Sequence, residues 1–477
     1  MSSDRTEPEC DRLRAGRWRA LAGVLLLMAS QVPAAEAPAM AAIPAEGREL
    51  TLTIYRGDVV LVQDRRTIDL PAGRGEARWA GVASGLHPGS VRLEGAAALL
   101  GFTLDHRPWS LTGLVEAHLG HEVQVVRGVG QQREVVRARV IATQPLLLEN
   151  DDGVFAATPG QLVFPQGAPA GMGDAPSLVL ALQNRGGVRG RHELAYLATG
   201  IGWSAEHVAL LSADARRMDL VTRARLDNRS GMVIDRASVY LIAGQVNIPP
   251  ARPAAPGMRQ RGGVAAEAAL ASADVVPQVA GDQYRFRLPE PLDLADGASR
   301  TLRLRGHDSI AVTRSYAAVG RAQPREQRGE SGWQPLPLET RLEWEQPEGP
   351  LPAGPVRVYA REDGVLRLVG GDQVRDRPQG ARVRIVPGRP FDLTARRRQT
   401  EFRRIDGRRF ESAQEIRLQN ARAEPVEVVV EETLPGDWEL LAASDEWQRA
   451  AAHLAVWRVE VPAGGERSIT YRAKIQR

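Results

Sequence analysis

Seven arginines crowd one short stretch of this chain: Arg396, Arg397 and Arg398, then Arg403 and Arg404, then Arg408 and Arg409. The last two pairs flank Asp406-Gly407, a dipeptide suited to tight turns, so a hairpin there gathers their side chains on both faces of a ribbon. A guanidinium offers a planar fork of N–H donors that matches carboxylate, sulfate or phosphate. Arg397, Arg403, Arg404 and Arg408 are therefore candidate anion-binding residues. Glu401, Glu411 and Glu415 lie in the same stretch, and cross-strand pairing with them is the competing use of these arginines.

Other constellations carry less chemistry. His118 and His121, flanked by Glu116 and Glu122, resemble part of a metal cluster, but zinc needs three or four convergent ligands. The next histidine along the chain is His192, so this segment reads as a polar helical turn entering a strand. Asp151-Asp152 and Glu431-Glu432 pair carboxylates side by side. Adjacent strand residues face opposite ways, so neither pair can flank one substrate bond. Asp151-Asp152 precedes Gly153 and reads as a hairpin turn. A glycosidase would need carboxylates converging from separate strands about 5–10 Å apart. Gly-x-Ser-x-Gly is absent, and Gly128-Val129-Gly130 lies between strands rather than before a helix, so neither a serine elbow nor a phosphate loop is expected. Trp438, Trp447 and Trp457 offer either a sugar-stacking platform or core; buried aromatics favour core. No catalytic residue, metal ligand or cofactor site is expected.

The elements that position these residues begin with an address. Residues 20–29 (ALAGVLLLMA) form an apolar run behind Arg12, Arg14, Arg17 and Arg19, with small residues at 32–42. That order reads as a signal peptide over 1–34, cleaved after Ala34. The run is shorter than the roughly 20 apolar residues of a membrane span. Export to the periplasm or beyond removes nucleic acid and cytosolic nucleotide cofactors from the expected partners. The single cysteine, Cys10, precedes the apolar run. The mature chain is thus expected to lack disulfides, a thiol nucleophile, a lipid anchor and any membrane span. Net charge is +4 with 25% charged residues, which describes a mixed surface. Lys474 is the only lysine, and this arginine bias fits GC-rich coding better than selection for phosphate.

Apolar and polar residues alternate with period two at 50–55, 67–70, 91–93, 123–126 and 135–141, the pattern of half-buried strands. Asp152-Gly153, Asp363-Gly364 and Asp406-Gly407 punctuate such runs as hairpin turns. We therefore expect an all-β, multidomain chain. Residues 47–108 form a first β domain. Residues 109–170 form a small SH3- or Sm-like barrel, with a helical turn at 114–119 before five short strands. Residues 176–316 form a β-sandwich unit with a mobile insert at 249–282, rich in Pro, Ala and Gly. A linker at 317–333, a β domain at 334–400 and an immunoglobulin-like sandwich at 401–477 complete the chain.

Several blocks resemble a known bacterial family. Residues 351–359 (LPAGPVRVY), 368–370 and 390–402 (PFDLTARRRQTEF) are similar to signature segments of the domain of unknown function 4139 family, related to mucoidy-inhibitor-type proteins. Residues 194–205, 226–247, 284–294 and 415–438 are similar to its other blocks, and 54–93 to the domain that precedes it. The resemblance implies no activity and no catalytic residue, and this chain lacks the coiled coil found in some relatives. The reading that emerges is a non-enzymatic, exported envelope protein that binds an envelope protein or an anionic glycan. The alternative is an envelope polysaccharide hydrolase whose carboxylates converge from different domains.

Overall fold

The structure is a computed structural model that describes residues 41–476 apart from 71, 96, 128–133, 169–170, 186–187, 248–276 and 327–330. The expected signal peptide over 1–34, Gly128-Val129-Gly130 and most of the expected insert over 249–282 lie outside the described residues. The end of that insert is ordered: Pro277–Ala280 is a strand that pairs with Gln283–Arg287. Gly281, at φ 63°, makes the tight turn between them. The left-handed conformation favours glycine there because it has no Cβ to clash.

The chain is all-β and multidomain, built from several sheets. Period-two patterning does what elementary geometry demands: along Ile201–Leu211 and Arg409–Asn420 buried residues alternate with less buried ones. Asp363 and Gly364 adopt φ of 51° and 80° and close a two-residue hairpin between Gly354–Glu362 and Val365–Val374. Asn150 pairs with Gly153, so Asp151-Asp152 is the turn expected of it. Among the described residues no helix is long and apolar enough to cross a membrane.

The segment 47–108 does not fold alone. Gly73–Ala80 lies between Ala41–Ile43 and Ser177–Asn184 in a four-stranded sheet. Val59–Leu70 pairs along its length with Val188–Thr199, and Glu49–Tyr55 runs parallel to Ile234–Ala243. These strands would otherwise leave one backbone edge unpaired, and distant segments supply the missing hydrogen bonds. The first domain and the front of the 176–316 unit therefore share one core, which includes Leu52, Trp79, Leu180 and Tyr196. A small domain is inserted between Ala97–Asp105 and Ser177–Asn184, which pair with each other. It has the helix Leu111–Ala117, capped by Ser110, and five strands in one sheet around Val123, Val140 and Leu148.

Two further cores follow, and long strands run from one into the next. Ile201–Leu211 and Arg217–Asn228 give Trp203 and Leu226 to the first core, then Leu211 and Leu220 to the middle one. Leu338–Glu345 acts likewise. Leu342 and Trp344 belong to the middle core, whereas Tyr316, Ala318 and Leu338 belong to the C-terminal one. The expected linker at 317–333 is thus overturned in its first part. Thr313–Arg321 pairs in parallel with Val426–Thr433 and antiparallel with Leu338–Glu345, burying Ala317 and Ala318. The boundary placed at 400/401 falls inside the strand Leu393–Arg404, which pairs with Arg409–Asn420. Hydrogen-bond continuity outweighs the local Gly and polar content that suggested a break.

Buried polar groups pin these layers. His207 is fully buried, and burial holds its imidazole pKa down to about 4, so the ring is neutral near pH 7. Its Nε2–H donates to the Pro352 carbonyl (2.9 Å), leaving Nδ1 to accept from the Thr222 hydroxyl (3.0 Å). Asp64 is also fully buried and accepts from Arg66 Nε (3.0 Å), Arg66 Nη2 (2.5 Å) and Trp79 Nε1 (3.1 Å). Arg66 further donates to the carbonyls of Ile43, Pro44 and Ala80, tying three segments together. Removing one partner of such a pair strands a buried charge, at a cost of about 3–5 kcal/mol. Asp64→Ala is expected to lower stability by about that amount in chemical denaturation. Arg404→Ala, which loses an exposed ion pair, is expected to shift it by about 1 kcal/mol or less; equal effects would refute this assignment.

Candidate functional site

The arginine hairpin forms, but five of its seven arginines are engaged by carboxylates. The turn is closed by Asp406, whose Oδ1 accepts the backbone N–H groups of Arg408 (2.9 Å) and Arg409 (2.8 Å). Register sets Arg403 opposite Glu411, and their side chains bond at 2.6 Å. Arg404 reaches Glu326 at 2.6 Å, Arg409 binds Asp406 at 2.6 Å and Arg398 binds Glu415 at 2.7 Å. Arg397 points inward and pairs with the fully buried Glu432. Arg408 is exposed and makes no ion pair among the described residues. Of the four candidates, three are matched by acids, and the fold does not gather the four into one anion site.

Glu432 is the unusual partner. Burial pushes its carboxyl up to about 7, although Arg397 opposes the shift. It stands against Gly320, where a Cβ would lie 2.2 Å from Glu432 Oε2. Its neighbour Glu431 points the other way and binds Arg341 with two bonds of 2.6 and 2.8 Å. The pair therefore splits across two faces, as strand alternation requires.

The remaining sequence candidates serve packing. His118 is buried, donates from Nδ1 to the Leu114 carbonyl (2.7 Å) and packs on Phe164 with ring centroids 4.7 Å apart. His121 is exposed, its ring 6.4 Å from that of His118. His192 belongs to a strand of the first core, away from the small domain. Among the described residues no group of three His, Cys, Asp or Glu side chains is arranged to hold a metal. Trp438 and Trp457 are buried, the latter stacked on Tyr471 at 5.3 Å. Trp447 is half-buried and tilts against Trp438, so the three tryptophans form no exposed platform.

Folding gathers a different set of arginines. A cleft of about 320 Å³ opens at the margin of the middle core, lined by Arg314, Arg361, Arg367, Arg389 and Arg422 against two carboxylates, Glu362 and Asp392. One wall is the Asp363-Gly364 hairpin. Another is the segment that leaves the strand Arg382–Gly388 through Pro390. Arg422 grips Asp392 through Nε (2.6 Å) and Nη2 (2.8 Å), donates from Nη1 to the Tyr316 hydroxyl (2.5 Å) and lies 4.6 Å over the Tyr316 ring. Its hydrogen bonds hold the Asp392 carboxyl below its ordinary range, and those of Arg367 do the same for Glu362. Both acids therefore stay ionised and cannot donate a proton at neutral pH. Arg314, Arg361 and Arg389 are exposed and have no ion pair among the described residues. Phe391, at the rim, is 100% exposed. The arrangement favours anions and offers an aromatic face beside them.

Comparison with protein-family models and with curated proteins gives no match to this chain. Reasoning from the sequence missed Arg314, Arg361, Arg389 and Arg422 because no two of them are near neighbours along the chain. The available signal was the segment Pro390-Phe391-Asp392, an aromatic next to an acid and a proline with no local periodicity.

The Glu432 pair makes a pH-dependent prediction. Its folded pKa, about 7, stands above the ordinary 4.5, so its contribution to stability is full below pH 4.5 and is lost as pH rises through about 7. Glu432→Gln keeps the shape and removes the titration. The stability of the variant relative to wild type is expected to increase from pH 4.5 to 7, by up to about tenfold in the folding equilibrium per pH unit. Denaturant midpoints followed by tryptophan fluorescence would test this, and a difference independent of pH would remove the assignment.

Proposed function

We propose that this chain is an exported, non-enzymatic binding protein of the bacterial envelope that takes an anionic ligand in the arginine-lined cleft. One observation carries the reading: five arginines meet two already paired carboxylates around an open cavity, leaving Arg314, Arg361 and Arg389 to face solvent. Desolvating a cationic cleft without a counter-charge is costly, and an anionic ligand offsets that cost. Electrostatic attraction also speeds encounter with a charged polymer and is weakened by salt.

The remaining parts of the proposal rest on the sequence. The basic-then-apolar start supports export. Blocks 351–359, 368–370 and 390–402 support kinship with the domain of unknown function 4139 family, and residues of all three blocks border this region. Val369, Pro390, Phe391 and Asp392 line the cleft, while Leu351 and Val358 lie in the core beneath it. We assign the small inserted domain to the SH3- or Sm-like class from its helical turn and five short strands. The C-terminal sheet pair is assigned to the immunoglobulin-like class from its strand spacing. The envelope hydrolase reading has less support, since paired arginines keep both cleft carboxylates ionised and leave no acid to protonate a leaving group.

Retention on polygalacturonate and polyglutamate resins tests the proposal. The double variant Arg314→Glu, Arg389→Glu is expected to elute at markedly lower salt than wild type from whichever resin retains it. Arg403→Glu, Arg404→Glu, which alters only arginines already matched by Glu411 and Glu326, is expected to elute close to wild type. The reverse order would move the site back to the hairpin, and release of reducing sugar from polygalacturonate would overturn the non-enzymatic reading.

A further inference from the structure

The wall of the cleft includes a sheet edge whose first half, ahead of a bulge at Val369, is unpaired on its outer side. Val365–Val374 is the last strand of its five-stranded sheet and pairs with Gly354–Glu362 on one side; among the described residues no strand pairs with its other side. The two halves of this edge differ. In the second half Gly370 packs so close to the adjacent strand that a Cβ would stand 1.8 Å from the Pro387 carbonyl oxygen. There the Asp372 carboxylate accepts the Val386 N–H at 2.7 Å. The first half has no such cover, and Val365, Leu366 and Leu368 are 68%, 52% and 56% exposed. Natural sheets blunt their free edges with lysine, proline, a bulge or a covering loop, because bare backbone donors and acceptors recruit further strands. Here residues 365–368 carry no proline and no lysine, and their one charge, Arg367, is paired with Glu362.

We infer that the free edge at Val365, Leu366 and Leu368 docks an extended acidic segment of a partner protein by strand addition. The inference rests on the proposed anion-binding cleft and names the class of ligand that reaches it. Strand addition supplies main-chain hydrogen bonds for affinity, while alternate side chains provide specificity. Arg367 lines the cleft, so period-two alternation turns Leu366 and Leu368 to the opposite face. An added strand would then offer acidic side chains to Arg367 and Arg389 on one face and apolar ones to Leu366 and Leu368, which share their face with Arg361, on the other. Charge complementarity selects an acidic segment over a second copy of the chain, since the same arginines would confront each other across a self-pairing edge.

The test uses the full chain and a fluorescein-labelled alternating valine–glutamate octapeptide, followed by anisotropy at low salt. Saturable binding is expected. It should weaken at least about tenfold when alternate peptide amides are N-methylated, because a methylated amide cannot donate to the edge. Leu366→Lys, Leu368→Lys and, separately, Arg367→Glu, Arg389→Glu should each weaken it several-fold. Equal binding of the methylated peptide would overturn strand addition. So would retention on polygalacturonate without peptide binding, which leaves the cleft reading intact while removing this one. Self-association abolished by Leu366→Lys, or binding to phosphatidylglycerol vesicles in place of the peptide, would likewise assign the edge to another occupant. Loss of both polyanion retention and peptide binding on every probe would remove the cleft reading itself.

Discussion

Long strands that serve two cores at once are the constraint on which this molecule depends. A strand such as Ile201–Leu211 or Arg217–Asn228 begins in one hydrophobic interior and ends in the next, with no break in its hydrogen-bond ladder. Leu338–Glu345 repeats the arrangement between the middle and C-terminal cores, with Thr313–Arg321 paired beside it. Bending such a strand would break backbone hydrogen bonds at the junction and expose apolar surface from both interiors, so successive cores are coupled through rigid β-structure. The cleft gains its fixed geometry from this coupling, because its walls come from the middle sheet and from strands that continue into the C-terminal core.

Arginine plays three roles here, set by surroundings rather than by residue type. Arg66 and Arg397 are interior groups matched by the buried acids Asp64 and Glu432. Arg404 and Arg409 make exposed pairs, each of small energetic weight in water. Arg314, Arg361 and Arg389 make no ion pair among the described residues, and they share one cavity. In the proposed reading, an arginine's availability to a ligand follows from what it lacks as a neighbour. Density along the chain is therefore a poor guide: of the seven arginines around Asp406-Gly407, Arg398 and Arg403 lie directly opposite Glu415 and Glu411.

The local pattern of this chain was legible. Period-two alternation located Leu50 and Val123 in strands with their buried side inward. Asp363-Gly364 and Asp151-Asp152 turned where turn chemistry placed them, and the helical turn before Val123 became Leu111–Ala117. What escaped was partnership. Nothing local to Glu49–Tyr55 indicates that it runs beside Ile234–Ala243, and the Gly and polar content near residue 320 hid a paired strand. Gly320 looked like a linker residue, whereas it leaves room for the buried carboxylate of Glu432.

By itself, then, the sequence determined strand identity, turn positions and the β class, because these depend on residues a few positions apart and on a period built into the backbone. Tertiary structure alone decided which edges meet, which arginines find acids and where a cleft remains. Those outcomes depend on contacts between Arg314, Arg361, Arg389 and Arg422, residues from separate strands and loops whose proximity no local rule encodes. Electrostatic complementarity acts through space. A charge's function is therefore settled only when folding has set its neighbours.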